Sequence, residues 1–149
     1  YAGPGDEIVC SAHGFAMYPI YGLTVGAKII TAKENDITIS VDNLLEKVTK
    51  KTKIIFIANP NNPTGTYLPY EEVTRLHKGL PSQVLLVIDS AYAEYVAAND
   101  YSAGIDLVRK NQNVAMLRTF SKIYGIGGIR LGWGYFPKRV TVLSIIFIH

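Results

Sequence analysis

The chain has 149 residues, 48% of them apolar and 18% charged, a balance that fits one folded domain with a real core and excludes a disordered chain. The net charge of +3 is small, and only Lys50, Lys51 and Lys53 lie close together, which suits a solvated helix end and gives no nucleic-acid footprint. A single cysteine, Cys10, rules out an internal disulfide and fits a reducing, cytoplasmic compartment, and the longest apolar run, Val140 to Ile148, is too short to span a bilayer.

In chain order, Glu7 to Ser11 reads as a strand, and Met17 to Val25 as a helix closed by Gly26. Lys28 to Thr31 reads as a second strand. Ser40 is placed to cap a helix from Val41 to Thr49, with Val41, Leu44, Leu45 and Val48 on one face. Lys53 to Ala58 is apolar almost throughout and reads as a buried strand. Pro69 opens a helix that runs through His77 and ends at Gly79. Val84 to Ile88 and Asn113 to Leu117 are two more buried strands, and Ile129 to Tyr135 is the last. Apolar strands separated by helical stretches predict an α/β fold with a mostly parallel sheet covered on both faces. Ligands bind at the carboxyl ends of the strands in such sheets, so chemistry is expected in the loops that follow them.

Three of those loops carry polar clusters. Asn59-Pro60-Asn61-Asn62-Pro63-Thr64-Gly65 follows the strand ending at Ala58. Asp89-Ser90-Ala91-Tyr92-Ala93-Glu94-Tyr95 follows Ile88. Arg118-Thr119-Phe120-Ser121-Lys122 follows Leu117, with Arg130 eight residues beyond the lysine. Singly, an Asn/Pro/Gly run is a turn, an Asp after a strand is a helix cap, and a lone Lys or Arg is solvated or ion-paired. Together, three successive strands place an amide, a carboxylate and a lysine on one edge of one sheet. Other motif classes are absent: there is no phosphate-binding P-loop, no completed dinucleotide fingerprint, no nucleophile elbow and no zinc spacing. His13 and His77 carry no assignment.

These clusters resemble the aspartate-aminotransferase-like superfamily, fold type I of the pyridoxal-phosphate enzymes. Pro4-Gly5-Asp6-Glu7 and Phe15-Ala16-Met17-Tyr18 fit the same pattern. Arg-Thr-Phe-Ser-Lys with Gly125, Gly128 and Ile129-Arg130-Leu131-Gly132-Trp133 is most similar to the histidinol-phosphate aminotransferase branch, as is Asp-Ser-Ala-Tyr-Ala-Glu-Tyr. The resemblance runs from about Pro4 to about Pro137.

The resemblance implies pyridoxal 5′-phosphate as cofactor, small amino-acid and keto-acid substrates, and a homodimer for the full-length protein, with no nucleic-acid or membrane partner. Lys122 would be the Schiff-base lysine and proton carrier. Asp89 would pair with the pyridinium nitrogen. Asn62 and Tyr92 would hydrogen-bond the cofactor's phenolate oxygen, and Ser121 and Arg130 would hold its phosphate. Phe15 would stack on the ring, with Tyr18, three residues on, the aromatic most easily confused with it. No metal is implied. The implied reaction is amino transfer between L-glutamate and imidazole-acetol phosphate in histidine biosynthesis. An aromatic or broad-specificity aminotransferase, a threonine-phosphate decarboxylase-like enzyme and an inactive remnant are the alternatives.

The pattern also lacks parts of the family: an upstream phosphate loop, an N-terminal arm, and a C-terminal small domain with an arginine for the substrate carboxylate. Residues 1–139 are thus expected to be part of a large cofactor-binding domain, with 140–149 an aberrant or truncated tail, and the 149 residues alone to be inactive.

Overall fold

The computed structural model describes residues 1–141. Six strands form one sheet in the order β2-β1-β3-β4-β5-β6. They are β1 (Glu7–Ser11), β2 (Lys28–Ala32), β3 (Thr52–Ala58), β4 (Leu85–Asp89), β5 (Val114–Thr119) and β6 (Gly132–Tyr135). All neighbouring pairs are parallel except β5 with β6, which is antiparallel. The expected α/β class with a mostly parallel sheet is the observed one. The helices are α1 (Met17–Thr24), α2 (Val41–Glu46), α3 (Tyr70–Gly79), α4 (Ile105–Lys110) and α5 (Lys138–Thr141).

Two apolar layers explain the near-continuous hydrophobicity of the central strands. The larger packs Val9, Ile55, Ile57, Leu86, Ile88 and Met116 of the sheet against α2, α3 and α4. The opposite layer includes Ile8, Ile54, Leu85, Val87 and Ala115. Alternate residues of each strand serve opposite faces, as the period of two requires.

Local chemistry sets the element ends. The Ser40 side chain caps α2 by accepting a hydrogen bond from the Asn43 N–H. Helix α2 stops at Glu46, short of the expected Thr49. The Thr49 N–H bonds the Thr52 hydroxyl, and the Thr49 hydroxyl bonds the Glu7 carboxylate at 2.5 Å, which turns the chain into β3. In α1, Pro19 falls in the first turn, where its missing N–H costs no helical bond. Gly22 of that helix lies so close to Ile29 and Ile8 that a Cβ would clash, so α1 sits tightly on the sheet. Helix α3 has Glu71 and Glu72 in its first turn and His77 and Lys78 in its last, matching its dipole.

Other sequence expectations also change in detail. Ile129 belongs to a 3-10 turn, Gly127–Ile129, and the last strand begins at Gly132. The short helix α4 was not expected. Val140, read with the tail, is buried in the second apolar layer; residues 142–149 of that tail lie outside the described residues.

Candidate active site

Strands β3, β4 and β5 are adjacent and parallel, so their carboxyl ends and the loops that follow share one edge of the sheet. The segment after β1 joins them there. A small cleft opens at this edge, lined by Phe15, Tyr18, Asn62, Asp89, Tyr92 and Lys122 together with Ala58, Pro60 and Ala91.

The turn after β3 separates its three asparagines by role. Asn59 is buried, donating from its amide to the Leu68 carbonyl and accepting from the Leu68 N–H. Asn61 is also buried, and its amide ties the Thr64 hydroxyl and the His13 carbonyl. Those two shape the turn, which holds cis Asn59–Pro60 and Asn62–Pro63 bonds. Asn62 is the one presented to the cleft.

Asp89 ends β4. One carboxylate oxygen accepts the Tyr18 hydroxyl at 2.7 Å, and the other accepts the Ala91 N–H at 3.1 Å. Burial pushes its carboxyl above the ordinary aspartate range, while these two bonds and the Lys122 charge oppose that rise. Tyr18 is 4% exposed. Burial, and then the Asp89 carboxylate, hold its phenol far above the usual range, so it is a neutral donor. Its ring stacks on Phe56 at 4.8 Å and meets the edge of Phe15 at 5.5 Å. The sequence reading did not give Tyr18 a role. No local signal could have found it, because its partner Asp89 lies 71 positions away.

Lys122 follows β5 and is exposed, with Nζ 4.9 Å from the centre of the Tyr92 ring. Ser121 and Arg130 are not part of the cleft lining. The Ser121 N–H bonds the Thr119 hydroxyl and shapes the turn. Arg130 sits in left-handed backbone at φ 58°, is exposed, and donates to the Gly127 carbonyl at 2.8 Å. The structure thus brings Phe15, Asn62, Asp89, Tyr92 and Lys122 together and leaves Ser121 and Arg130 on the adjoining turn.

Burial, and then Glu34, push the Cys10 thiol up to about 11, so it stays protonated at neutral pH. His13 is paired with Glu34, and His77 with Asn113. Among the described residues no cluster of three or more His, Cys, Asp or Glu could hold a metal, and no helix is long and apolar enough to cross a membrane.

The chain is 61% identical over 141 residues to a histidinol-phosphate aminotransferase of Paramagnetospirillum magneticum, covering 95% of this chain and 39% of that protein. It is 56% identical, over the same shares, to a histidinol-phosphate aminotransferase of Rhodospirillum centenum. The chain therefore spans about two-fifths of the length of these relatives. Among solved structures, the Sinorhizobium meliloti histidinol-phosphate aminotransferase, crystallised with pyridoxal-5′-phosphate, superposes with a TM-score of 0.85 at 31% identity, over 92% of this chain and 37% of that one. Residues 1–146 match the family described as aminotransferase class I and II, and the chain belongs to that family.

Proposed function

We propose that the protein carrying this segment uses pyridoxal 5′-phosphate to exchange an amino group between L-glutamate and imidazole-acetol phosphate, running reversibly to histidinol phosphate and 2-oxoglutarate. The observation that carries the reading is the convergence of an amine, a half-buried carboxylate, an amide, a phenol and an aromatic ring in one cleft. The substrate class rests on the names of the relatives at 61% and 56% identity.

The donor set fits the cofactor. A flat pyridine ring needs an aromatic cover, an anion at its nitrogen, donors at its phenolate oxygen and an amine within reach of its aldehyde, and Phe15, Asp89, Asn62 with Tyr92, and Lys122 meet these needs. When bound, the cofactor supplies an electron sink for the pair left on the substrate's α carbon.

The chain's own groups do the rest. Lys122 Nζ binds the cofactor and carries the proton to and from the α carbon. Burial makes Asp89 costly to ionise despite the nearby Lys122 charge. A protonated ring nitrogen would be a further cationic partner and would favour the carboxylate. Tyr18 and the Ala91 N–H fix the carboxylate plane, and Phe56 beneath Tyr18 fixes the phenol. Asn62 and Tyr92 donate hydrogen bonds to the ring oxygen. Ser121 and Arg130, on the adjoining turn, would hold the phosphate, where a charge-assisted bond from Arg130 would be about twice as strong as a neutral one. The full-length protein is expected to be a cytoplasmic homodimer; the exposed apolar side chains between Ile123 and Tyr135 support an interface there.

The test is a glutamate-dependent assay of the full-length protein with imidazole-acetol phosphate, set beside phenylpyruvate and 4-hydroxyphenylpyruvate. The reading predicts highest kcat/KM for imidazole-acetol phosphate. Faster turnover of an aromatic keto acid would replace the substrate assignment, and carbon dioxide release without amino transfer would replace the reaction.

A further inference from the structure

We propose that Glu94, Arg118 and Trp133 form a clamp that positions Tyr92 against Lys122, so that the two loops carrying the site are held at one spacing. The inference rests on the cofactor reading above but on separate residues.

Backbone pairing between β4 and β5 ends at Asp89 and Leu117, with one further bond from the Ser90 N–H to the Leu117 carbonyl. Beyond that bond the two chains part. One enters the turn containing Tyr92 and the 3-10 turn Ala93–Tyr95; the other runs through Thr119 to Lys122. The Arg118 guanidinium spans the gap to the Glu94 carboxylate. Neither group is an ordinary surface charge, since their side chains are only 16% and 21% exposed. Trp133 lies directly opposite Arg118 on β6, and its ring covers the guanidinium at 5.6 Å.

The geometry therefore ties three segments at one point. Glu94 is two residues after Tyr92, and Arg118 is four before Lys122. The contact they control is the 4.9 Å approach of Lys122 Nζ to the Tyr92 ring. None of the three clamp residues lines the cleft, so they act through others as positioning residues. Arg is suited to this place because its planar fork can bond a carboxylate at its edge while stacking an indole on its face, which Lys cannot do.

The test uses the full-length protein and two probes, pyridoxal phosphate and pyridoxine phosphate. In the first, unprotonated Nζ adds to the aldehyde carbon, a C=N bond replaces C=O, and water leaves. The second carries an alcohol in place of the aldehyde and binds without that bond. Stopped-flow absorbance gives the rate of covalent capture, and equilibrium titration gives the affinity for pyridoxine phosphate. Glu94→Gln and Arg118→Lys should slow capture by about ten-fold or more, because small misplacements of reacting groups carry large rate penalties. Affinity for pyridoxine phosphate should change less than about two-fold. Should Glu94→Gln not fold, Arg118→Lys, which keeps the charge, carries the same comparison. Equal losses with both probes, or no loss with either, would overturn the clamp. A wild-type protein that binds pyridoxine phosphate but never captures pyridoxal phosphate would overturn the function reading and the clamp with it.

Discussion

The strand ends at β3 and β4 and the turn after β5 meet at one cleft, yet they are built differently. On the first side Asn59 and Tyr18 are 1% and 4% exposed, and the amide of one and the phenol of the other are both hydrogen-bonded. Beneath them Leu86 and Ile88 are fully buried. On the second side Ile123, Tyr124, Ile129 and Leu131 are 45 to 67% exposed, and Lys122 and Arg130 stand in the same exposed stretch. The site thus has a preorganised half, which fixes the carboxylate and the turn, and an open half, which carries the amine and the guanidinium. The difference teaches that burial marks the groups whose position must not vary. The exposed amine keeps its freedom and, under the proposed clamp, depends on Arg118 and Glu94 for its alignment with Tyr92.

The comparison breaks most sharply at Lys122. Lys122→Ala should reduce transamination by about 10³-fold or more, the loss of a covalent link and of a proton carrier, with thermal stability unchanged because the side chain is exposed. Steady-state kinetics beside a melting curve checks both halves. Asp89→Ala should leave covalent binding intact and cut turnover by about 10² to 10³-fold. Near-normal turnover in that variant would remove Asp89 from the mechanism.

Stability separates the two halves next. Ile88→Ala should cost about 2–5 kcal/mol through the cavity it leaves, whereas Ile129→Ala should fall within about 0.5 kcal/mol. Urea unfolding of the two variants measures the contrast, and equal costs would erase it.

The sequence made the first half legible because its devices are local. Ser40 one residue ahead of an apolar face, Pro69 ahead of α3 and the Asn-Pro turn each announce themselves within a few positions. The cluster of amide, carboxylate and lysine was legible too, since parallel strands fix which ends share an edge. What the sequence did not disclose depends on long-range partners. Tyr18 finds Asp89 71 positions away, and Arg118 finds Glu94 across two loops; no spacing rule reports either pair. The Thr49–Glu7 bond that shortens α2 is hidden for the same reason. Helix α4 has only six residues and little periodicity to detect.

Smaller effects test the hydrogen bonds. Tyr92→Phe should raise the pH at which the bound cofactor's absorbance titrates, since one donor to its phenolate oxygen is lost. An unchanged curve would take Tyr92 out of the site. The smallest effect is on the cofactor-free protein. Burial raises the Asp89 pKa on folding, so above the ordinary aspartate range the folded protein keeps a proton that the unfolded chain has released. The group's contribution is present below its unfolded pKa and is lost as pH rises through the folded one. Asp89→Asn should therefore flatten the fall in stability across that acid window, followed by urea unfolding from about pH 4 to pH 7.

The central claim is that the open half delivers one particular amine to the cofactor. Borohydride reduction of the full-length protein after incubation with pyridoxal phosphate, followed by proteolysis and mass spectrometry, reads that directly. The account predicts a reduced pyridoxyl group on Lys122. Recovery of the label on Lys110 or Lys138, with Lys122 unmodified, would contradict it.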